Sequence, residues 1–93
     1  MDEVRLDDFS AALGAGWEME ADGERHPAEL VEASALHGSV REAGGFRLEF
    51  RGPVDPAYQQ GLLTFRRDGR EYEIFVTALS RDASGTVYEA VFY

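Results

Sequence analysis

Apolar and polar residues alternate along most of the chain from Trp17 onward. The segment "FRLEF" at 46–50 is the clearest example, because its three apolar residues alternate with charged ones until Gly52 and Pro53 end the pattern. Residues 28–36 instead carry apolar side chains on both parities, which predicts a bulge or a doubly covered strand of open register. Alternation broken by turn residues about every eight to twelve positions is typical of all-β sandwiches and barrels. We therefore predict an all-β fold, a small antiparallel barrel or closed sandwich of about six strands with one short N-terminal helix.

The predicted helix lies in the segment "DFSAALG" at 8–14. Asp7 is placed to cap it, and Gly14 is a C-terminal stop signal. Phe9 and Leu13 share one helical face. Because a helix of about two turns is too short to be stable alone, we expect this face to pack against the sheet.

An Asp-Gly pair at 68–69 is a two-residue type I′ turn signal between two alternating segments. The turn places Phe65 opposite Tyr72 on one face and Arg66 opposite Glu71 on the other. Shifting the register by one residue would mix apolar with charged residues, so the pattern and the turn predict the same pairing.

A second hairpin is predicted around "RDASG" at 81–85. The pairs expected on its core side are Ala78 with Tyr88, Val76 with Ala90, and Ile74 with Phe92. On the opposite face this register places Leu79 beside Val87 and Phe75 beside Val91. The first hairpin adds Leu62 beside Phe75.

A strand face that should be polar thus carries an apolar strip, which consists of Leu62, Phe75, Leu79, Val87, Val91 and Tyr93. Exposed apolar patches larger than a few hundred Å² are uncommon on soluble monomers and indicate a cover or a partner. One candidate cover is the N-terminal helix, through Phe9 and Leu13. The other is another protein chain, either a second copy or an assembly partner.

The opposite strand faces are predicted to form the interior, which comprises Trp17, Met19, Phe46, Leu48, Phe50, Leu63, Phe65, Tyr72, Ile74, Val76, Tyr88, Ala90 and Phe92. These side chains are enough to fill a six-stranded barrel by themselves. The alternative is a barrel that holds a small apolar ligand among Trp17, Tyr72 and Tyr88.

The 93 residues suit a single domain that spans 1–93. Eighteen acidic against nine basic residues give a formal net charge of −9, which repels phosphate backbones and anionic lipid headgroups. We therefore expect neither nucleic acid nor a membrane as partner. The sequence has no cysteine and no apolar run as long as a signal peptide or a membrane span, so we expect a cytoplasmic protein.

Candidate catalytic and metal-binding groups are few. Asp22, Glu24 and His26 have the spacing of ligands on one strand face, but the turn signal before them and Pro27 after them predict a loop. His37 is predicted to lie at the surface. Paired carboxylates spaced two apart are expected on solvent-facing strand surfaces; the carboxylate pairs of the chain are Glu18 with Glu20, Glu71 with Glu73, and Asp7 with Asp8. Common nucleotide, zinc-protease and hydrolase motifs do not occur, so we predict no catalytic residue, no cofactor and no metal site.

Five arginines depart locally from the overall acidity: Arg47, Arg51, Arg66, Arg67 and Arg70. A surface for nucleic acid would interleave aromatic side chains with them, whereas the aromatic residues of these strands are predicted to face the core. Glu49, Glu71 and Glu73 lie among the arginines, so we predict cross-strand ion pairs.

Four segments stand out as a set: "DFSAALG" at 8–14, "LEFRGP" at 48–53, "QQG" at 59–61 and "YEAVFY" at 88–93. Together they resemble a family of small bacterial domains whose function is not established. The resemblance covers most of the chain and implies a common fold. Members of that family are encoded near, or fused to, phage-tail-collar-like proteins, so the resemblance implies a structural or assembly role. It transfers no functional residues.

These observations predict a non-catalytic protein-interaction or assembly module. Its binding surface is expected to be the apolar strip or the loop "GPVDPAYQQG" at 52–61. The competing hypothesis is the barrel that binds a small apolar ligand.

Overall fold

The computed structural model describes residues 6–11, 13–36 and 45–92. These ranges hold one helical turn and six strands, namely α1 (Asp7–Ser10), β1 (Gly16–Ala21), β2 (Glu24–Ala35), β3 (Phe46–Gly52), β4 (Gln60–Arg67), β5 (Arg70–Asp82) and β6 (Gly85–Phe92). The strands form a closed antiparallel barrel in the order β1-β2-β3-β6-β5-β4. The all-β six-stranded antiparallel barrel is therefore confirmed, whereas the N-terminal helix is a single turn and not the predicted two turns within 8–14. Within the described ranges no helix has the length and apolarity needed to cross a membrane.

The β4–β5 hairpin has the predicted register. Phe65 lies opposite Tyr72, and Arg66 lies opposite Glu71. The turn residues Asp68 and Gly69 have φ angles of 53° and 77°. Two consecutive positive φ angles are what a type I′ turn requires, and aspartate and glycine tolerate them better than most residues.

A bulge in β2 confirms the irregularity predicted for residues 28–36. The pairing with β3 shifts between Leu30, which lies opposite Phe50, and Glu32, which lies opposite Glu49. The extra residue changes the parity of the strand, so Ala33 faces the same side as Leu30 and pairs with Leu48. Apolar residues of both parities thus reach the interior.

The β5–β6 hairpin differs from the prediction beyond Ala78. Ala78 lies opposite Tyr88 as predicted, but a bulge then shifts the register so that Val87 lies opposite Ser80. The predicted pairing of Leu79 with Val87 is therefore wrong. At the other end the ladder starts at Thr77, so it does not contain the predicted pairs Val76 with Ala90, Ile74 with Phe92, and Phe75 with Val91. Bulges bend a strand and increase its twist, which a closed barrel of only six strands requires.

Aromatic rings fill the interior. Phe50 stacks on Phe65 with 4.1 Å between ring centroids, and Trp17 meets Phe50 edge-on at 5.5 Å. The predicted interior residues are all buried except Tyr72 and Phe92, which are half-buried and pack against the core. These contacts show that side chains fill the barrel interior. They confirm that the period-two alternation predicted the inward-facing residues correctly.

One end of the barrel is closed by the N-terminal segment. Neighbouring strands run antiparallel, so β1, β3 and β5 all start at this end. Phe9 is fully buried there, with ring centroids 5.8 Å from Trp17 and 5.0 Å from Tyr72. The helix is one turn long and begins after Leu6 without a side-chain cap, so the predicted capping role of Asp7 is wrong.

The loop between β3 and β4 covers the opposite end of the barrel. The backbone N–H of Tyr58 donates to the hydroxyl of Tyr88 at 2.9 Å, and the Tyr58 hydroxyl lies 3.0 Å from Nε2 of His26. Burial, and then the negative charge of nearby Glu24, raise the pKa of Tyr58 above its ordinary value. The phenol therefore stays protonated and remains able to form its hydrogen bond.

Candidate protein-interaction surface

Large apolar side chains are exposed on the outer face of three adjacent strands. The exposed fractions are 61% for Leu62 on β4, 56% for Phe75 and 50% for Leu79 on β5, and 37% for Val91 on β6. The outer face of an antiparallel sheet is ordinarily polar, since the inner face already supplies the core. These residues do not belong to the buried core of the described part of the chain, and their side chains are accessible at the surface.

Leu62 and Phe75 form the centre of this surface. They lie directly opposite each other on β4 and β5, so their side chains are neighbours on the outer face. Val91 follows on β6, two residues beyond Glu89, and lies opposite Arg47 of β3. We refer to Leu62, Phe75 and Val91 as the outer patch.

Leu79 and Val87 form a second group nearer the other end of the barrel. Leu79 occupies the β5 bulge and is exposed, and Val87 is half-buried. Leu79 also lines a surface cavity of about 350 Å³ together with Tyr58 and Thr86. The Thr86 side chain is buried, and its hydroxyl has no hydrogen-bond partner in the described part of the chain.

A polar row separates the outer patch from the second group, so the strip is not continuous as predicted. Thr77 lies between Phe75 and Leu79 on β5, and it is the partner of Glu89 on β6. Glu89 in turn lies opposite Glu49 on β3. The strip is interrupted because alternation brings every second residue of each strand to the outer face, whether that residue is apolar or charged.

Arg47 holds the two opposed carboxylates of this row together. Its Nε and Nη2 atoms donate to Glu89 at 3.0 and 2.8 Å, and Nη2 also donates to Glu49. The hydrogen bonds to Glu89 and Glu49 raise the pKa of Arg47 above its ordinary value. One guanidinium thus compensates two like charges that cross-strand pairing alone would bring into repulsion.

The N-terminal helix does not cover the apolar strip, which corrects one of the two predicted covers. Phe9 points into the barrel instead, and Leu13 remains 54% exposed. The physical reason is that the open barrel end offers Phe9 three aromatic neighbours, Trp17, Phe46 and Tyr72, and hence complete burial. Tyr93, the last predicted strip residue, lies outside the described residues.

A model of the family described as "Domain of unknown function (DUF6916)" matches residues 4–92. The chain belongs to this family. The match confirms the predicted resemblance to a domain family without an established function. No curated protein and no solved structure matches the chain significantly. Membership of the DUF6916 family assigns no activity, so the function has to be argued from the surface itself.

His26 lies in a strand, and the predicted loop at this position is wrong. Both His26 and Pro27 belong to β2. Proline is tolerated because this part of β2 pairs only with β1, and its pairing with β3 begins at Glu29. Nε2 of His26 contacts Tyr58 and lies 3.9 Å from Glu24. Among the described residues no group of three or more histidines and carboxylates is arranged to hold a metal ion. His37 lies outside them.

The carboxylate pairs of the strands take part in ion pairs. Arg66 donates to Glu20 at 2.6 Å and to Glu71 at 2.9 Å, and Arg25 lies 3.4 Å from Glu20. The hydrogen bond from Arg66 is the main reason that the pKa of Glu20 is below its ordinary value. The predicted cross-strand ion pairs are thus present at Arg47 and Arg66, and Arg51 lies 3.5 Å from Glu29. The side chains of residues 7 and 8 lie outside the described part.

Glu73 is the exception among these carboxylates. It is exposed on the outer face of β5, two residues before Phe75, and has no hydrogen-bond or ion-pair partner in the described ranges. The sequence pattern predicts Glu73 as one member of an ion-paired cluster, and this prediction is wrong. Alternation could place Glu73 on the outer face, but only the packing of the strands shows that Arg66 reaches Glu71 and Glu20 instead.

Proposed function

We propose that this domain is a non-catalytic protein-interaction module that binds a partner through the outer patch. The observation that carries the proposal is the pair Leu62 and Phe75, which lie opposite each other and are both more than half exposed. A cross-strand apolar pair that stays exposed contributes only about 0.2 to 1 kcal/mol to folding of the isolated domain. Burying the same pair in an interface removes it from water, and a few large anchors contribute most to interface affinity.

The barrel topology limits how a partner can bind. Every strand of the closed barrel has a hydrogen-bonded neighbour on both sides over at least part of its length, so no strand is an edge strand that a partner could extend along its whole length. The partner therefore binds to side chains on the outer face. The stacked rings of Trp17, Phe50 and Phe65 in the interior favour this function over the alternative of an apolar ligand inside the barrel.

We further propose that the module is an accessory of a multi-protein assembly, such as a phage-tail-like one. The resemblance of the chain to small domains that are encoded near, or fused to, phage-tail-collar-like proteins supports this finer role. A small barrel with both ends closed and one apolar outer patch also suits a structural component, because its binding surface is rigid and preformed.

Affinity capture with matched variants tests the proposal. The wild-type chain, the double variant Leu62→Ser/Phe75→Ser and the control Leu13→Ser are immobilised and exposed to lysate of the source organism. Leu13 is a suitable control because it is equally exposed but lies at the N-terminal turn. We expect at least one protein to be retained by wild type and control, and its recovery to fall about tenfold or more with the double variant.

Two outcomes contradict the proposal. One is an identical set of retained proteins for all three chains. The other begins with thermal unfolding that shows the double variant to be unfolded. The milder variant Leu62→Ala/Phe75→Leu then replaces it, and the proposal is contradicted if this variant is folded and still retains the partner. Light scattering of wild type and Phe75→Glu separates self-association from binding of a different chain, since only a self-associating patch changes the measured mass.

A further inference from the structure

The surroundings of the outer patch are negatively charged. Glu73 is adjacent to Phe75 on the same face and has no partner among the described residues. On the other side of Phe75 the polar row brings Glu89 and Glu49 together with a single arginine, Arg47. The apolar centre is therefore bordered by carboxylates along β5 and across β6 and β3.

Basic side chains in the described ranges are already engaged. Six arginines of the described ranges each lie within 4 Å of a carboxylate: Arg25, Arg47, Arg51, Arg66, Arg67 and Arg81. Arg70 has an interaction of its own as well. Because the chain has twice as many acidic as basic residues, its surplus charge is negative. A partner that approaches the outer patch meets negative potential.

We infer that the partner of the outer patch is a segment of a different protein that carries one or two large apolar side chains flanked by lysine or arginine. This inference rests on the proposed function and specifies the partner's chemistry. The apolar side chain packs on the surface formed by Leu62 and Phe75, and a flanking cation pairs with Glu73. A second copy of this chain is not the occupant, because two patches with the same acidic border, on chains of charge −9, repel each other.

Titration with short synthetic peptides tests the partner chemistry on the full chain. The probe is a peptide in which lysine alternates with leucine and phenylalanine. One control replaces each lysine with glutamate, and a second replaces each apolar residue with serine. Binding is followed by backbone amide shifts of the isotope-labelled domain. We expect the probe to shift amides of β4 and β5 around Leu62 and Phe75, with an affinity about tenfold or more above both controls.

Two single-charge variants locate the electrostatic contribution. Glu73→Gln removes the unpaired carboxylate beside Phe75, and Asp22→Asn removes an exposed carboxylate at the β1–β2 turn with the same change in net charge. An exposed ion pair is worth little, so Glu73→Gln should weaken probe binding about threefold and Asp22→Asn should leave it unchanged. Raising the salt concentration should weaken binding to wild type and reduce the difference between wild type and Glu73→Gln.

The results separate this inference from the proposed function. Equal weakening by Glu73→Gln and Asp22→Asn would mean that only net charge attracts the probe, which overturns the inference. So would tighter binding of the glutamate peptide, or a dimer that is lost on Phe75→Glu. A natural partner whose capture depends on Phe75 but not on Glu73 or salt also overturns it, while leaving the proposed function intact. If the capture of no protein depends on Phe75, both this inference and the proposed function are wrong.

Discussion

Phe65 and Phe75 are both phenylalanines and lie on the adjacent strands β4 and β5, but their surroundings are opposite. Phe65 is fully buried and stacks on Phe50 at 4.1 Å. Phe75 is 56% exposed beside Leu62 on the outer face. The barrel wall is a single sheet, and successive residues of a strand face its opposite sides. Residues on the inner side stabilise the fold, whereas residues on the outer side are exposed and can contact a partner. Apolar character by itself therefore says little about the role of a residue in this domain.

The largest expected effect comes from truncating the inner phenylalanine. Phe65→Ala should lower the free energy of unfolding by about 3 to 5 kcal/mol, because it removes a stacked ring and leaves a cavity. Phe75→Ala should change it by less than about 0.5 kcal/mol, as is usual for exposed positions. Urea denaturation of both variants measures the difference.

Since domains of this size have little stability to lose, Phe65→Ala will partly unfold the chain if the starting value is low. Phe65→Leu then serves as the milder inner variant. If the inner and outer substitutions lowered the free energy of unfolding equally, Phe65 would not be the more important residue for stability and the comparison would fail.

The next effect concerns two glycines with similar backbone angles at different depths. Gly85 (φ 137°) is buried, and a Cβ added there would overlap the carbonyl oxygen of Gly52 and contact Arg51. Gly61 (φ 147°) has a comparable angle but no neighbouring atom within 4 Å of an added Cβ. Both alanine variants bear backbone strain, and Gly85→Ala should lose about 1 to 3 kcal/mol more because it also forces packed backbone apart.

Thermal unfolding of the two glycine variants gives the comparison directly. Since φ differs little between the positions, the difference in stability isolates the cost of overpacking at the barrel end. If Gly61→Ala were the less stable variant, backbone strain and not the close contact with Gly52 would dominate.

A smaller effect is expected from the pH dependence of the outer ion pairs. The hydrogen bond from Arg66 lowers the pKa of Glu20 below its ordinary value of 4.5. The contribution of this group to stability is therefore complete above pH 4.5 and is lost as the pH falls below it through the pKa of the folded state.

Unfolding of wild type and Glu20→Gln should be followed between neutral pH and about pH 3. Glu20→Gln should be less stable than wild type near neutral pH, and the two should converge on acidification. Glu73→Gln is the control, because Glu73 has no partner in the described ranges. Convergence of the control to the same extent would mean that the acid dependence is a general effect of net charge.

The smallest effect is the coupling within the outer patch. Leu62→Ala, Phe75→Ala and the double variant form a thermodynamic cycle for a directly opposed cross-strand pair. Such pairs contribute about 0.2 to 1 kcal/mol to stability. A coupling well above that range would show that the pair stabilises the barrel and is not reserved for a partner.

Local pattern was sufficient to predict most of the strands and most of the interior residues. Alternation identified the inward residues of β1, β3, β4 and β6, and the Asp-Gly turn determined the β4–β5 register because a shift of one residue would have exposed Phe65 and buried Arg66. It also placed Leu62 and Phe75 together on the outer face. These features depend on residues close in sequence, where period and turn chemistry act directly.

Packing between distant segments decided the rest. The bulge at Leu79 shifts the β5–β6 register, and no residue beside it signals that shift. Bulges of this kind bend a strand, which suits a closed barrel. Phe9 closes the barrel end instead of covering the strip because Trp17 and Tyr72 meet there. Glu73 is unpaired because Arg66 is shared by Glu20 and Glu71, which come from different strands. The sequence by itself determined which faces are apolar and which are polar, whereas tertiary structure decided which groups meet, since closure of the barrel brings together residues that are far apart along the chain.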